Sequence, residues 1–281
     1  LISPRRERGA DTSEDECAPG RTSRKGSPAR FLRRPVMEWK KHADELQSLL
    51  GLEGSPVAVT FSMEPADDAL KGKHRVCDAF IKARDGATID LTSSSSACHG
   101  GTWFLGLAEP PTGEEDRALK DFLVNGEKLF SSVVTFCRSR MLSTPPPTGM
   151  ADHVILEPLD RAKRRPDLIL FICNPEQASR LVTLDMYDTG VPPRIEMSGA
   201  TCHQAVGYPA ATGELNVSLM DYTSRRSKAY KKNDLIVSIP YHRFHGVMRS
   251  IEGCTAGRAK FEVPDRMRRT MDPAALRDLE G

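Results

Sequence analysis

No apolar run in this chain approaches the roughly 18 residues that a helix needs to cross a bilayer. The first residues hold no apolar core of the kind a secretory signal carries. Charge of one sign is not in excess: Lys and Arg number 40, Asp and Glu 38, for a formal net charge of +2 over 281 residues. That balance argues against nucleic-acid or membrane-surface binding by bulk electrostatics. The chain has no Walker loop, no Rossmann glycine fingerprint and no zincin motif. It has seven cysteines. They are odd in number and widely scattered, unlike a secreted disulfide scaffold. These absences point to a cytoplasmic protein with reduced thiols, without nucleic acid or membrane as partner.

The hydrophobic fraction is 39%, and much of the deficit lies in the tails. Residues 1–36 are charged, rich in Gly, Pro and Ser, and without period. They read as a disordered extension, or as sequence upstream of a natural start at Met37. Cys17, within them, receives no role. Residues 37–263 read as one α/β core domain, and residues 264–281 as a peripheral tail.

Within the core, "MEWKKHADELQSLL" places Trp39, Ala43, Leu46 and Leu50 on one helical face. "PVAVTFS", "ATIDL", "HVILEPL", "DLILFICN", "NVSLMD" and "LIVSIP" read as strands. Helices are expected at "RVCDAFIKARDG", after Cys98, over residues 114–141 with a break at Asn125–Gly126, in "PEQASRLVTLDMYDTG" and in "YHRFHGVMRSIEG". Asn174 caps the "PEQASRL" helix and Pro175 fits its first turn. Strands alternating with helices give the α/β class.

Two segments echo each other. "PVAVTFS … ATIDLTSSSSACHGG" and "DLILFICN … PRIEMSGATCHQA" each run strand, helix, strand, small polar loop, then Cys-His. The expected architecture is a single globular domain of two pseudo-repeated β-α-β halves, with Cys98 and Cys202 as counterparts. A small polar loop entering a helix puts each cysteine near a helix N-terminus, where free N–H groups and the dipole favour a thiolate. Ser95 or Ser96, and Ser198 or Thr201, are the expected caps.

The ordered motifs "LGLEGSPVAVTF", "RVCDAF", "CHGGTWFLGL", "PDLILFICNPEQASRL", "GATCHQAV", "GELNVSL" and "DLIVSIP" resemble those of the uncharacterised bacterial and archaeal family called domain of unknown function 169. The resemblance covers about residues 40–250. It implies an α/β fold and recurrent cysteines at Cys77, Cys98 and Cys202, and no established reaction. The resemblance also implies a further Gly-Cys run, found in many members after the strand like "NVSL". Here "MDYTSRRSKAY" takes its place, which removes a fourth thiolate.

Cys77, Cys98 and Cys202 form no compact C-x-x-C knuckle, so any shared site must be built by the fold. Brought together, three thiolates suit an iron–sulfur cluster or another soft metal. His74, His99, His203 and Cys254 are candidates for a fourth ligand. The expected function is therefore a soluble thiolate-site protein, with a small molecule or an electron-transfer protein as partner. The alternative is a metal-free small-molecule or anion-binding protein. There Ser96, His99, Gly100, Gly101, Thr201 and His203 line the ligand site, and Arg225 clamps an anion. Cys137 and Cys173 read as small core residues.

Overall fold

A computed structural model describes residues 37–227 and 229–280. The expectations for residues 1–36, including Cys17, lie outside the described residues. Helix α1 (Met37–Leu50) precedes strand β1 (Val57–Ser62). Next come α2 (Val76–Arg84), β2 (Ile89–Leu91) and α3 (His99–Phe104). α4 (Gly113–Asp121) runs into a π-helical turn, Phe122–Gly126, and α5 (Val133–Met141) follows. β3 (His153–Pro158), β4 (Leu168–Cys173) and α6 (Pro175–Met186) come next. A π-helical stretch, His203–Gly207, leads into α7 (Tyr208–Thr212). β5 (Asn216–Ser218), α8 (Tyr222–Ser227), β6 (Leu235–Pro240) and α9 (Tyr241–Ser250) complete the core. α10 (Asp265–Arg268) buries none of its residues, and α11 (Pro273–Glu280) ends the described chain. Among the described residues no helix is long and apolar enough to cross a membrane.

The strands form one six-stranded sheet in the order β2-β3-β1-β4-β6-β5. Every neighbouring pair is antiparallel. β1 and β2 both oppose β3, so they run parallel to each other with β3 between them. β4 and β5 stand in the same relation to β6. Each half is thus a β-α-β unit split by a third strand. Exchanging β1 with β4, β2 with β5 and β3 with β6 reverses the sheet order onto itself. The exchange centres on the pair Ala58 and Ile169.

Both faces of the sheet are covered, which is why its central strands read as unbroken apolar runs rather than alternating ones. Ala58, Ile169, Phe171, Val237 and Ile239 pack with α1, α6 and α9. Their neighbours Val57, Val59, Leu168, Leu170 and Ile236 pack on the other face with α2, Ala205 and Val206. The period-two alternation of a strand makes this division.

The division re-pairs the echo seen in the sequence. A two-fold axis normal to the sheet keeps each element on its own face. α6 lies on the face opposite α2. The counterpart of α2 is therefore the helical run 201–212, which shares its face and precedes β5. Cys77, in the first turn of α2, corresponds to Cys202, in the first turn of that run. α3, which follows β2, corresponds to α8, which follows β5. Cys98 immediately before α3 then matches Asp221 immediately before α8. "PRIEM" is not a strand. Asn216 on β5 holds it instead, accepting from the N–H of Glu196 (2.8 Å) and donating to its carbonyl (3.0 Å).

Candidate functional site

The four serines before Cys98 build a turn. Ser95 Oγ donates to the Asp90 carbonyl (3.0 Å) and accepts from the Thr92 N–H (2.8 Å). Thr92 Oγ1 accepts in turn from the Ser95 N–H (3.0 Å). Ser96 Oγ accepts from the Cys98 N–H (3.3 Å). The Cys98 carbonyl accepts from Thr102 Oγ1 (2.8 Å) and the Thr102 N–H (2.9 Å). Neither Ser95 nor Ser96 caps α3. Cys98 does so itself, its Sγ accepting from the Gly101 N–H at 3.4 Å. The sulfur thus takes the place that a side-chain oxygen holds in an ordinary cap.

The glycine pair divides its labour. A Cβ on Gly100 would meet open space, whereas one on Gly101 would come within 2.9 Å of Val76 Cγ2. Gly101 therefore lets α3 close on α2, beside Cys77. Gly207 does the same on the other side, since a Cβ there would lie 2.4 Å from the Phe104 carbonyl oxygen. Two missing side chains let the three helical segments pack closely.

Cys77, Cys98 and Cys202 all line one cavity of about 160 Å³. Burial pushes the Cys202 thiol well above its ordinary pKa, and nearby Cys98, Cys77 and Asp221 push it further. The hydroxyl of Tyr230 anchors Cys77 by donating to its carbonyl (2.7 Å). Thr201 and Asp221 also lie on the wall. The Asp221 carboxylate accepts from the Thr201 N–H (3.1 Å) and hydroxyl (2.6 Å), and from the Ser224 N–H and hydroxyl (both 2.7 Å). It ties the Cys202 helix to α8, the task expected of Thr201 or Ser198 as a cap.

The remaining walls are largely apolar. Leu119, Leu123 and Leu129 contribute, with rings from Trp103, Phe104, Phe122, Phe130 and Phe136. Several of these come from the 114–141 region, which the sequence marked only as helical. α4 buries none of its residues; with the turn after it, it walls the cavity. Arg75, Glu127 and Arg140, with Asp221, are the charged members, and the sequence singled out none of them. Burial raises the Glu127 pKa, and the Asp221 charge raises it further. No sequence motif marks Asp221, Glu127 or Arg140. The surplus of Phe and Leu among the charges of 114–136 was the available signal.

Gly100 and Gly101 line the cavity, but other expected site residues are elsewhere. His203 is fully buried and not on the cavity wall. Its Nε2 accepts from the Thr144 N–H (2.9 Å), so Nδ1 carries the proton and donates to Ser198 Oγ (2.6 Å). Burial lowers its pKa to about 4. Arg225 donates to the carbonyls of Leu219 (3.0 Å), Asp234 (2.6 Å) and Lys232, bracing the loop into β6 rather than a ligand. The proposal for His99 concerns a side chain outside the described residues. Of the other fourth-ligand candidates, His74 is buried against the Leu70 carbonyl (3.3 Å) and Lys82 Nζ (3.1 Å). Cys254 lies in the core of the opposite face, as does Cys173, whose pKa burial pushes up to about 12. Cys137 is half-buried rather than a core residue.

A single tetrahedral ion with metal–sulfur bonds near 2.3 Å needs sulfurs about 3.8 Å apart. Among the described residues no three Cys, His, Asp or Glu side chains converge to hold one ion. The three thiols share a cavity without meeting at a single point.

The profile of the domain of unknown function 169, described as uncharacterised ArCR, matches residues 45–250. The chain is also similar to the uncharacterized protein MJ0308 of Methanocaldococcus jannaschii. They are 24% identical over 230 residues, which is 77% of this chain and 95% of the relative. No solved structure matches. With its whole sheet, all three cavity thiols and Asp221 inside the matched span, the chain belongs to the domain of unknown function 169 family.

Proposed function

We propose that Cys77, Cys98 and Cys202 act together as the ligand set of an iron–sulfur cluster or another soft-metal group. The protein would serve redox or small-molecule chemistry in the cytoplasm, with a small molecule or an electron-transfer protein as partner. One observation carries this reading: three thiols from distant segments line one cavity. A cluster is larger than a single ion and holds its cysteine sulfurs farther apart, which suits thiols that do not converge. Such a group supplies electron transfer or Lewis acidity. The chain supplies the rest. The Gly101 N–H holds the Cys98 sulfur at the start of α3, and Phe and Leu side chains make the surrounding walls apolar. Cys202 must lose a proton that burial makes it hold, so metal uptake releases protons and strengthens with rising pH.

The test is iron and acid-labile sulfide content, with a visible spectrum, on the full chain purified without oxygen. The Cys98→Ser and Cys202→Ser variants are measured beside it. The expected result is a coloured protein whose iron and sulfide are lost in both variants. Colourless, metal-free, folded wild type overturns the metal reading. The apolar walls favour a second reading, in which the cavity binds a small molecule with no metal. Retained ligand binding by metal-free protein distinguishes it.

A further inference from the structure

Arg140 lines the thiol cavity and is buried, with a side chain only 6% exposed. Its guanidinium lies over the Trp103 ring, 4.9 Å from the centroid. One terminal nitrogen donates to Asp116 Oδ1 (2.5 Å), and the other to the Pro111 carbonyl (3.2 Å). The Nε–H, also buried, has no acceptor. A buried guanidinium donor left unsatisfied is costly, because its full desolvation is uncompensated. The local charge is not closed either. Lys120 shares the same Asp116 carboxylate at 2.8 Å. Two cations on one anion leave a surplus positive charge beside an apolar cavity.

We propose that this cavity binds a compact aromatic carboxylate, with its ring among Phe104, Phe122, Phe130 and Phe136 and a carboxylate oxygen accepting from Arg140 Nε. Size sets the ring: a cavity of about 150 Å³ with apolar walls accommodates benzene, and this one is about 160 Å³. Aromatic walls favour an aromatic body through offset or edge contacts. Charge sets the polar end. Arg75, Glu127 and Asp221 also line the cavity, and the charges of Arg75 and Asp221 both act on Glu127. Two carboxylates there outnumber the one guanidinium, whereas Arg140 and Lys120 outnumber Asp116, so the acid turns toward the Arg140 and Lys120 cluster. The inference deepens the small-molecule reading and rests on it, since the ring takes the space that a metal group on the thiols would fill.

The experiment is calorimetric titration of the reduced full chain with phenylacetate, benzyl alcohol and benzylamine. Phenylacetate is expected to bind saturably, at least tenfold tighter than benzyl alcohol, with benzylamine weakest. Arg140→Lys keeps the charge and removes the Nε donor. It should weaken phenylacetate by about ten- to hundredfold, the scale of a charge-assisted hydrogen bond, while leaving benzyl alcohol unchanged. If Arg140→Lys fails to fold, Gly100→Leu decides, because it places a side chain in the open space beside Gly100 and should abolish binding. The proposal is overturned if no probe binds, if benzylamine or benzyl alcohol matches phenylacetate, or if Gly100→Leu binds like wild type. Iron and sulfide content is read separately, so failure of the metal reading and failure of this one are distinct results.

Discussion

His203 follows a cysteine in a motif that reads as reactive, yet its chemistry is that of a packed neutral imidazole. Both ring nitrogens are used, by the Thr144 N–H and the Ser198 hydroxyl. A group whose folded pKa is depressed adds stability above its unfolded value and loses it as pH falls toward the folded value. For His203 that window runs from 6.5 down to about 4. Full burial makes the lost contribution about 3 kcal/mol. Urea unfolding at pH 7.5 and pH 4.5 should show this loss, and His203→Gln should show a smaller pH dependence over the same range. Equal dependence in both proteins would count against the assignment. Cys202 has the opposite sign. Its raised pKa means that stability falls as pH rises above the ordinary thiol range.

Helices α2, α3 and the 201–212 run meet because two positions carry no side chain. Gly101→Ala forces a Cβ against Val76 and should cost about 1–3 kcal/mol, the usual penalty for overpacking. Gly100→Ala, one residue earlier on the same helix, meets nothing and should stabilise by about 0.5–1 kcal/mol. Thermal melts of the two variants check the pair, and similar shifts would refute the division of roles. Asp221 makes the matching link between the 201–212 run and α8. Asp221→Ala strands the Thr201 and Ser224 donors. It should destabilise by about 1–3 kcal/mol and raise the alkylation rate of Cys202, measured by mass spectrometry of the labelled peptide. An unchanged Cys202 rate would show that Asp221 does not hold that helix start.

At the scale of the whole molecule, the sheet sorts the cysteines. Cys77, Cys98 and Cys202 lie above one face, Cys173 and Cys254 in the core beneath the other. A sheet covered on both faces separates them fully. Cys173→Ala and Cys254→Ala should therefore leave metal content and ligand binding at wild-type levels, while costing stability through lost packing. Loss of metal in either variant would mean that the site reaches through the sheet.

Much of this was legible in the chain. Apolar runs such as "VAVTF" and "LILFIC" determined strands, because nothing else that short buries so continuously. Trp39, Ala43, Leu46 and Leu50 determined the face of α1, and Asn174 with Pro175 determined the start of α6. The sequence also singled out the three thiols that share the cavity. It paired them differently, matching Cys98 with Cys202, because a linear order of strand, helix and strand does not say which face of a sheet a helix covers. Only the tertiary structure put α6 below and the 201–212 run above, matching Cys77 with Cys202 and Cys98 with Asp221. The cavity was hidden for the same reason. Arg140, Glu127 and Asp221 are ordinary surface residue types until distant segments close around them. Local pattern decides which backbone forms; the enclosure of space between elements decides which side chains lose water, and that is where this protein's chemistry lies.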